Sequence, residues 1–374
     1  MRSFTFSILI FFFLFSFRTT AQTNLLLSDQ TEVSLLTCGS GSQLHSLFGH
    51  TALRIHNAEN GVDVVFNYGA FDFGTPNFYL KFVKGDLQYF VATGSYDEFV
   101  QNYQYENRSI YEQKLALSPV QKQQLINELV VVLSSDQKYY TYKFIDRNCT
   151  TMVADRINSI LSTAKINTDI PDTKKDYRTI LNSYLANSFY EKLGINLIFG
   201  SKVDKQSDKL FLPSELMEGV SKTKIGQTPL APETITVYTQ QPNESSGSIW
   251  NNSYTFIGIL LLFVVFAHKK PVSAIYLAFT GFMGLFLSLV GFYSFHEEVS
   301  SNYNALLVSP ILLISLFFLL TGNKKGFKIS AYSCFISMLI FIGYAFNKDH
   351  FLLMTPILIA NVLILVRLLR KEKL

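Results

Sequence analysis

The residues best suited to chemistry are one cysteine and one histidine, far apart in the chain. In Phe144-Ile145-Asp146-Arg147-Asn148-Cys149-Thr150-Thr151 the cysteine opens an expected helix over residues 149–162, because Val153, Ile157, Ile160 and Leu161 follow at helical spacing. Asp146 or Asn148 is the natural N-cap, since either side chain can accept a first-turn N–H. A thiol there meets unpaired N–H groups and the positive end of the helix dipole, and both favour thiolate. A thiolate that attacks carbonyls needs a base, and the base needs a polar group to orient it. His50, in Leu47-Phe48-Gly49-His50-Thr51, is the expected base. Residues 50–56 alternate, with Thr51, Leu53 and Ile55 on one face and His50, Ala52, Arg54 and His56 on the other. A turn at Asn60-Gly61 returns the chain through residues 62–67 and brings Asn67 to the His50 face. Asn67 is the expected orienting group, and Tyr68 is its alternative.

Other polar residues compete for attention. A zinc site built from His45, His50 and Cys149 lacks metal-ligand spacing, so neither a metal nor any other cofactor is expected. The chain has three cysteines, Cys38, Cys149 and Cys334, which is no disulfide framework, although Cys38 and Cys149 could pair in an oxidising compartment. Aromatic residues are dense over 67–73 and 77–82, where core packing is the plain reading and a groove for acyl chains the functional one. Lys81, Lys84 and Arg108 are either a solvated face or contacts for a lipid phosphate. Late in the chain, residues 294–304 form a polar loop containing His296, Asn302 and Asn304, expected to face the soluble domain and share its site.

The elements that must position these groups divide into two kinds. Hydrophobic residues make up 48% of the chain and charged residues only 16%, too apolar for an ordinary soluble enzyme. The net charge of +4 is small and its lysines and arginines form no block, which argues against nucleic acid as a partner. Residues 1–21 carry Arg2, an apolar run and Thr19-Thr20-Ala21, the pattern of a signal peptide. Residues 22–228 form the expected exported domain: strands to about residue 117, a helix opened by Ser118-Pro119, the cysteine helix, then short helices near 176–190 and 213–219. Residues 229–252, rich in Pro, Ser, Asn and Gln, are expected to be a linker. Residues 253–374 hold apolar runs at 253–267, 272–294, 304–321, 328–346 and 351–368, an expected membrane domain of five helices. The loops at His268-Lys269-Lys270 and Lys324-Lys325 and the C-terminus are basic, so the positive-inside rule places them in the cytoplasm and the soluble domain outside. Helical spans imply a bacterial inner membrane, since outer membranes hold barrels.

Taken together, Leu35-Leu36-Thr37-Cys38-Gly39, Leu47-Phe48-Gly49-His50-Thr51-Ala52-Leu53-Arg54, Phe66-Asn67-Tyr68-Gly69 and Asn148-Cys149-Thr150-Thr151 resemble the Bacteroidetes-type lipoprotein N-acyltransferases (Lnb). The likeness extends through Phe211-Leu212-Pro213 and the loop from His296 to Pro310. It implies an α+β, permuted papain-like domain (NlpC-like, or similar to the lecithin:retinol acyltransferases) ahead of an all-α membrane domain. The implied activity moves a fatty acyl group from a phospholipid donor to the N-terminal amine of a diacylglyceryl-cysteine lipoprotein. The resemblance makes Cys149 the nucleophile and His50 its base; from the residues themselves Asn67 is the expected third group, and Tyr68, Arg108, His296, Asn302 and Asn304 the expected substrate contacts. The same dyad would also suit a membrane-tethered cysteine peptidase or cell-wall amidase. A non-enzymatic envelope sensor or scaffold would leave Cys149 structural.

Overall fold

A computed structural model describes residues 30–161, 164–242 and 248–371; the expected signal peptide lies outside them. The soluble part is built on an antiparallel sheet. Its strands are β1 (Glu32–Cys38), β2 (His50–Asn57), β3 (Val62–Ala70), β4 (Gln88–Ser95), β5 (Ile110–Lys114), β6 (Tyr139–Thr141) and β9 (Ile235–Tyr238). They run in the order β6-β4-β3-β2-β1-β5-β9, and a two-stranded hairpin of β7 (Lys224–Ile225) and β8 (Thr228–Pro229) stands apart. The hairpin β2–β3 pairs Ala52 with Asn67, which leaves His50 and Asn67 on one face as the alternation requires. β9 corrects the expected linker. Residues 235–238 pair with β5 and close that edge of the sheet, so the soluble fold continues past residue 228.

Among the described residues this part has seven α-helices: α1 (Phe78–Lys84), α2 (Tyr96–Tyr105), α3 (Pro119–Ser134), α4 (Cys149–Ile160), α5 (Tyr177–Tyr184), α6 (Phe189–Ile198) and α7 (Pro213–Lys222). Ser118 caps α3 in a reciprocal box with Gln121, as Ser118-Pro119 announces. α3 and α4 pack on one face, where Leu53, Ile55, Tyr68, Leu125, Val153 and Ile157 share the main core. Burying a Val or Ile of α4 contributes about 1.5–3 kcal/mol each, which holds the cysteine end of the helix against the sheet. α2 covers the other face over Cys38, Ala52 and Val65.

Five helices follow: α8 (Ser253–Phe266), α9 (Lys270–Tyr293), α10 (Ile311–Thr321), α11 (Lys324–Ala345) and α12 (Phe351–Lys371). Three of them, α9, α11 and α12, are long and apolar enough to cross a membrane. A fourth crossing arises if α10 is joined to residues 297–306, from which it bends by 44°. The run expected over 304–321 is thus broken, at the turn before Pro310, which cannot continue a helix with its own N–H. α8 has 14 residues, about 21 Å of helix, and is short for a bilayer core.

The two parts are joined by a buried polar network. Arg178, 2% exposed, binds Asp204 at 2.6 Å and reaches the carbonyls of Phe199 and Gly200. Tyr303 from the membrane part donates to Asp204 at 2.8 Å, and Asn182 donates to Asp349. Near the cysteine loop, buried Glu215 accepts the Phe211 and Leu212 amides and turns the chain into α7. Burial pushes its carboxyl up to about 7, although those two amides pull the other way. A raised carboxyl stabilises the fold below its unfolded value and loses that contribution as pH climbs through about 7. Stability should therefore fall between pH 5 and 8, by about 2–3 kcal/mol from this group, seen as a falling thermal-unfolding midpoint, and Glu215→Gln should flatten that slope.

Candidate active site

Asn148, not Asp146, caps the cysteine helix. Its Oδ1 accepts the amides of Thr150 at 2.8 Å and Thr151 at 3.0 Å, while its Nδ2 donates to the carbonyls of Phe144 and Phe211. Met152 N–H bonds to the Asn148 carbonyl. Of the first-turn amides this leaves Cys149 N–H without a partner among the described residues, pointing from the positive end of the helix. Asp146 is instead held by Lys202 and Lys209. A pair of bonds between Lys143 and Arg147 closes the loop that delivers the cysteine.

His50 is the first residue of β2, on the face opposite α4, where its ring stacks on Tyr103 of α2 with centroids 6.2 Å apart. Its Nε2 lies 3.2 Å from Asn67 Oδ1. An amide oxygen can only accept, so Nε2 carries the proton and Nδ1 is left as the basic nitrogen. Thiol and imidazole come from opposite faces and meet around the end of the sheet. Gly69 permits this: its φ is +94°, and a Cβ there would stand 3.6 Å from that of Cys149. Gly49 has φ +86°, and a Cβ would strike the Cys38 carbonyl, so the chain can enter β2 at this angle only with glycine.

Cys149 is partly buried, and burial alone would push its thiol up. The hydrogen bond and charge of His50, the Thr51 backbone amide and the Thr150 hydroxyl outweigh burial and hold it below the ordinary thiol range. Thr150 is itself placed by Thr51, with the two hydroxyl oxygens 3.2 Å apart. Cys149 and Cys38 are both free, so the alternative disulfide is not formed. Cys38 is buried, and burial drives its thiol strongly upward, toward inertness. Among the described residues no group of three or more His, Cys, Asp or Glu could hold a metal ion.

Several expected substrate contacts have other partners. Tyr68 is fully buried on the α4 face, away from His50 and Asn67, because adjacent strand residues point to opposite sides. Arg108 is no solvated cation: it is buried, its Nε donates to the Gly39 carbonyl, and its guanidinium lies over Tyr103, behind His50. Asn302 donates to the carbonyls of Leu197 and Ile198, and Asn304 to those of Asn196 and Leu197. Both amides therefore occupy the unpaired carbonyls ending α6. His296 Nε2 bonds the Phe82 carbonyl at 2.9 Å. The loop does reach the soluble domain, as a brace. Glu298, 1% exposed, accepts the Ile145 amide at 3.2 Å, and Glu297 binds Lys143 and Lys202.

Tyr140, on the short strand β6, was not visible as a site residue in the sequence. Its hydroxyl is buried beside the Gly69 amide, makes no hydrogen bond of good geometry, and feels the charge of Cys149. Burial first, then that charge, drives it well above the ordinary tyrosine value, so it remains a proton donor. For the thiol, the rate of iodoacetamide alkylation of Cys149 should show a midpoint below that of a free cysteine. In His50→Ala only burial and the weaker donors remain, and the midpoint should rise.

Comparison with known proteins matches the description of the Lnb N-terminal periplasmic domain to residues 18–183 and that of the Lnb transmembrane domain to residues 254–372. No curated protein and no solved structure matches. The two matched regions are consecutive, take in His50, Asn67 and Cys149 in the first and the bracing-loop residues in the second, and together span most of the chain. The protein belongs to the Lnb family, with a periplasmic domain followed by a helical membrane domain.

Proposed function

We propose that this protein is a thiol-dependent lipoprotein N-acyltransferase of the inner membrane, working through a permuted papain-like site. The observation that carries the reading is a cysteine with lowered thiol at a helix start, facing a histidine whose other nitrogen is held by Asn67. Membership in Lnb supplies the lipoprotein role.

The reaction has two steps. The Cys149 thiolate attacks an ester carbonyl of a phospholipid, and the oxyanion is received by Cys149 N–H and the Tyr140 hydroxyl. As the C–O bond breaks, His50 imidazolium gives its Nδ1 proton to the departing alkoxide, leaving a lysophospholipid and an acyl-thioester. The α-amine of the diacylglyceryl-cysteine then attacks the thioester. His50 takes the amine proton, the amide forms, and the thiolate departs. No cofactor enters either step.

Both substrates are lipids, and the membrane domain supports that. Residues 190–191 are bonded to Asn251 just before α8, Lys84 to Phe295 just after α9, and Asn182 to Asp349 just before α12. These three connections therefore share one side with the soluble domain, and the lysine turns lie on the other. All five helical segments then cross, with α10 entered through its bent partner, the catalytic domain periplasmic and the C-terminus cytoplasmic.

Intact-mass analysis of a diacylglyceryl lipopeptide incubated with the protein and phospholipid should show one added acyl chain, absent with Cys149→Ser. A shortened peptide would instead mean a tethered peptidase. Tyr140→Phe should slow transfer on the order of a hundredfold while leaving iodoacetamide alkylation, which forms no oxyanion, unaltered.

A further inference from the structure

Helix α1 is unusual among the soluble-domain helices in burying none of its residues. Its sequence, FYLKFVK, is apolar except for two lysines, yet Tyr79 is 77% and Leu80 68% exposed, with Phe82 and Val83 also open. A seven-residue helix with four exposed apolar side chains is costly in water unless something apolar covers it.

Its attachment points to what covers it. The Phe295 amide donates to the Lys84 carbonyl at 2.7 Å, Ser294 Oγ to the Val83 carbonyl at 2.8 Å, and His296 Nε2 contacts the Phe82 carbonyl. Residues 294–296 directly follow Tyr293, the last residue of the 24-residue apolar helix α9. The C-terminal turn of α1 is thus fixed at the level where α9 leaves the hydrocarbon. Exposed Phe292, Tyr293 and Phe295 sit at that level too, as an aromatic belt does. Lys84 bonds Asp86 and reaches over the Phe295 ring, so its cation lies at the same boundary.

Behind α1 an unbroken row of rings leads inward. Phe82 stacks on Phe78 at 6.4 Å, Phe78 meets Phe71 at 5.9 Å, Phe71 meets Tyr89 at 5.3 Å, and Tyr89 stacks on Tyr142 at 4.5 Å. Tyr142 lies within reach of the Cys149 charge, and Phe71, Phe78, Tyr142 and Cys149 all border the same core.

We propose that Phe78–Lys84 lies in the headgroup layer of the outward leaflet as a bilayer-docking surface, with Tyr79, Leu80 and Val83 among the acyl chains. The row of rings behind it forms the wall along which a lipid chain approaches Cys149. The docking needs only the membrane domain; the wall rests on the acyl-transfer reading. A short apolar helix with basic residues, held at the end of a membrane span, matches a lipid surface in both polarity and charge.

Tryptophan depth quenching tests the docking without any activity measurement. Trp250→Phe removes the chain's one tryptophan, and Tyr79→Trp or, separately, Leu80→Trp reports on α1 in proteoliposomes. Phospholipids brominated near the glycerol end of the acyl chain should quench both reporters, and more strongly than those brominated near the methyl end. Phe279→Trp, exposed in mid-helix on α9, is the control. If Phe279→Trp is quenched and neither α1 reporter is, the helix faces water or a protein and the docking surface is overturned. In that event lipopeptide acylation could still proceed. Loss of acylation with α1 still quenched would overturn the acyl-transfer reading and the chain wall, and leave the docking in place.

Discussion

The site depends on one amide side chain. Asn148 satisfies the N–H groups of Thr150 and Thr151 and the carbonyls of Phe144 and Phe211, so its two polar atoms fix a helix, a loop and the strand-like segment before α7. An exposed N-cap contributes about 1 kcal/mol. This one is buried, and losing it would strand four backbone groups, each costing about 1–3 kcal/mol when unpaired. What it leaves unpaired matters as much. It takes the second and third amides of the turn and leaves the first, that of Cys149, free; in the proposed acyl transfer that N–H receives the oxyanion. The cap thus determines both where the sulfur stands and which donor stands beside it.

The membrane domain reaches this cap. Glu298 holds the Ile145 amide three residues before Asn148, and Glu297 ties down Lys143 and Lys202, which in turn holds Asp146. The loop preceding Cys149 is therefore braced from one side by the soluble fold and from the other by residues between two membrane helices. The contacts farther out are also polar: Arg178 with Asp204, Tyr303 with Asp204, Asn304 with the end of α6. Buried polar pairs add little net stability against an apolar alternative, but each accepts only a narrow geometry. Beside them Leu193 and Leu197 of α6 pack with Leu287, Leu307 and Met354, so apolar packing holds the two parts together while the polar contacts fix the angle between them.

Much of this was legible in the chain because it is local. Helix spacing after Cys149, Ser118-Pro119, the Asn60-Gly61 turn and the alternation that pairs His50 with Asn67 are all decided within a few residues. The same alternation, carried one residue further, puts Tyr68 on the other face and removes it as the alternative to Asn67. Long-range features were hidden. β6 has three residues, and nothing in Tyr139-Tyr140-Thr141 says that Tyr140 will end beside Gly69. Asn302 and Asn304 have the composition of a ligand-binding pair, but helix-end carbonyls compete for amides as well as any substrate does, and sequence cannot tell the two apart. The alternation of Ile235 to Tyr238 was masked by the Pro- and Gln-rich residues around it.

The placement of the thiol also bears on how a lipid ester could be attacked without leaving the bilayer. Ester carbonyls of phospholipids lie between headgroups and hydrocarbon, a layer only a few ångströms thick. A site on the face of the sheet would be roofed by α2 or α4. Because His50 and Cys149 instead meet around the sheet's end, across Gly69, the partly buried sulfur stands near a rim of the domain. The cysteine loop at that rim is the segment the membrane loop braces, and the ring row from α1 ends there at Tyr142. Chain, carbonyl and thiol then fall in line if the acyl chain follows the rings. Drawing a phospholipid fully into water would expose two acyl chains at about 0.8 kcal/mol per CH₂, a cost the proposed acyl transfer avoids if it takes place at the bilayer surface. A tethered rim site removes the need to do so.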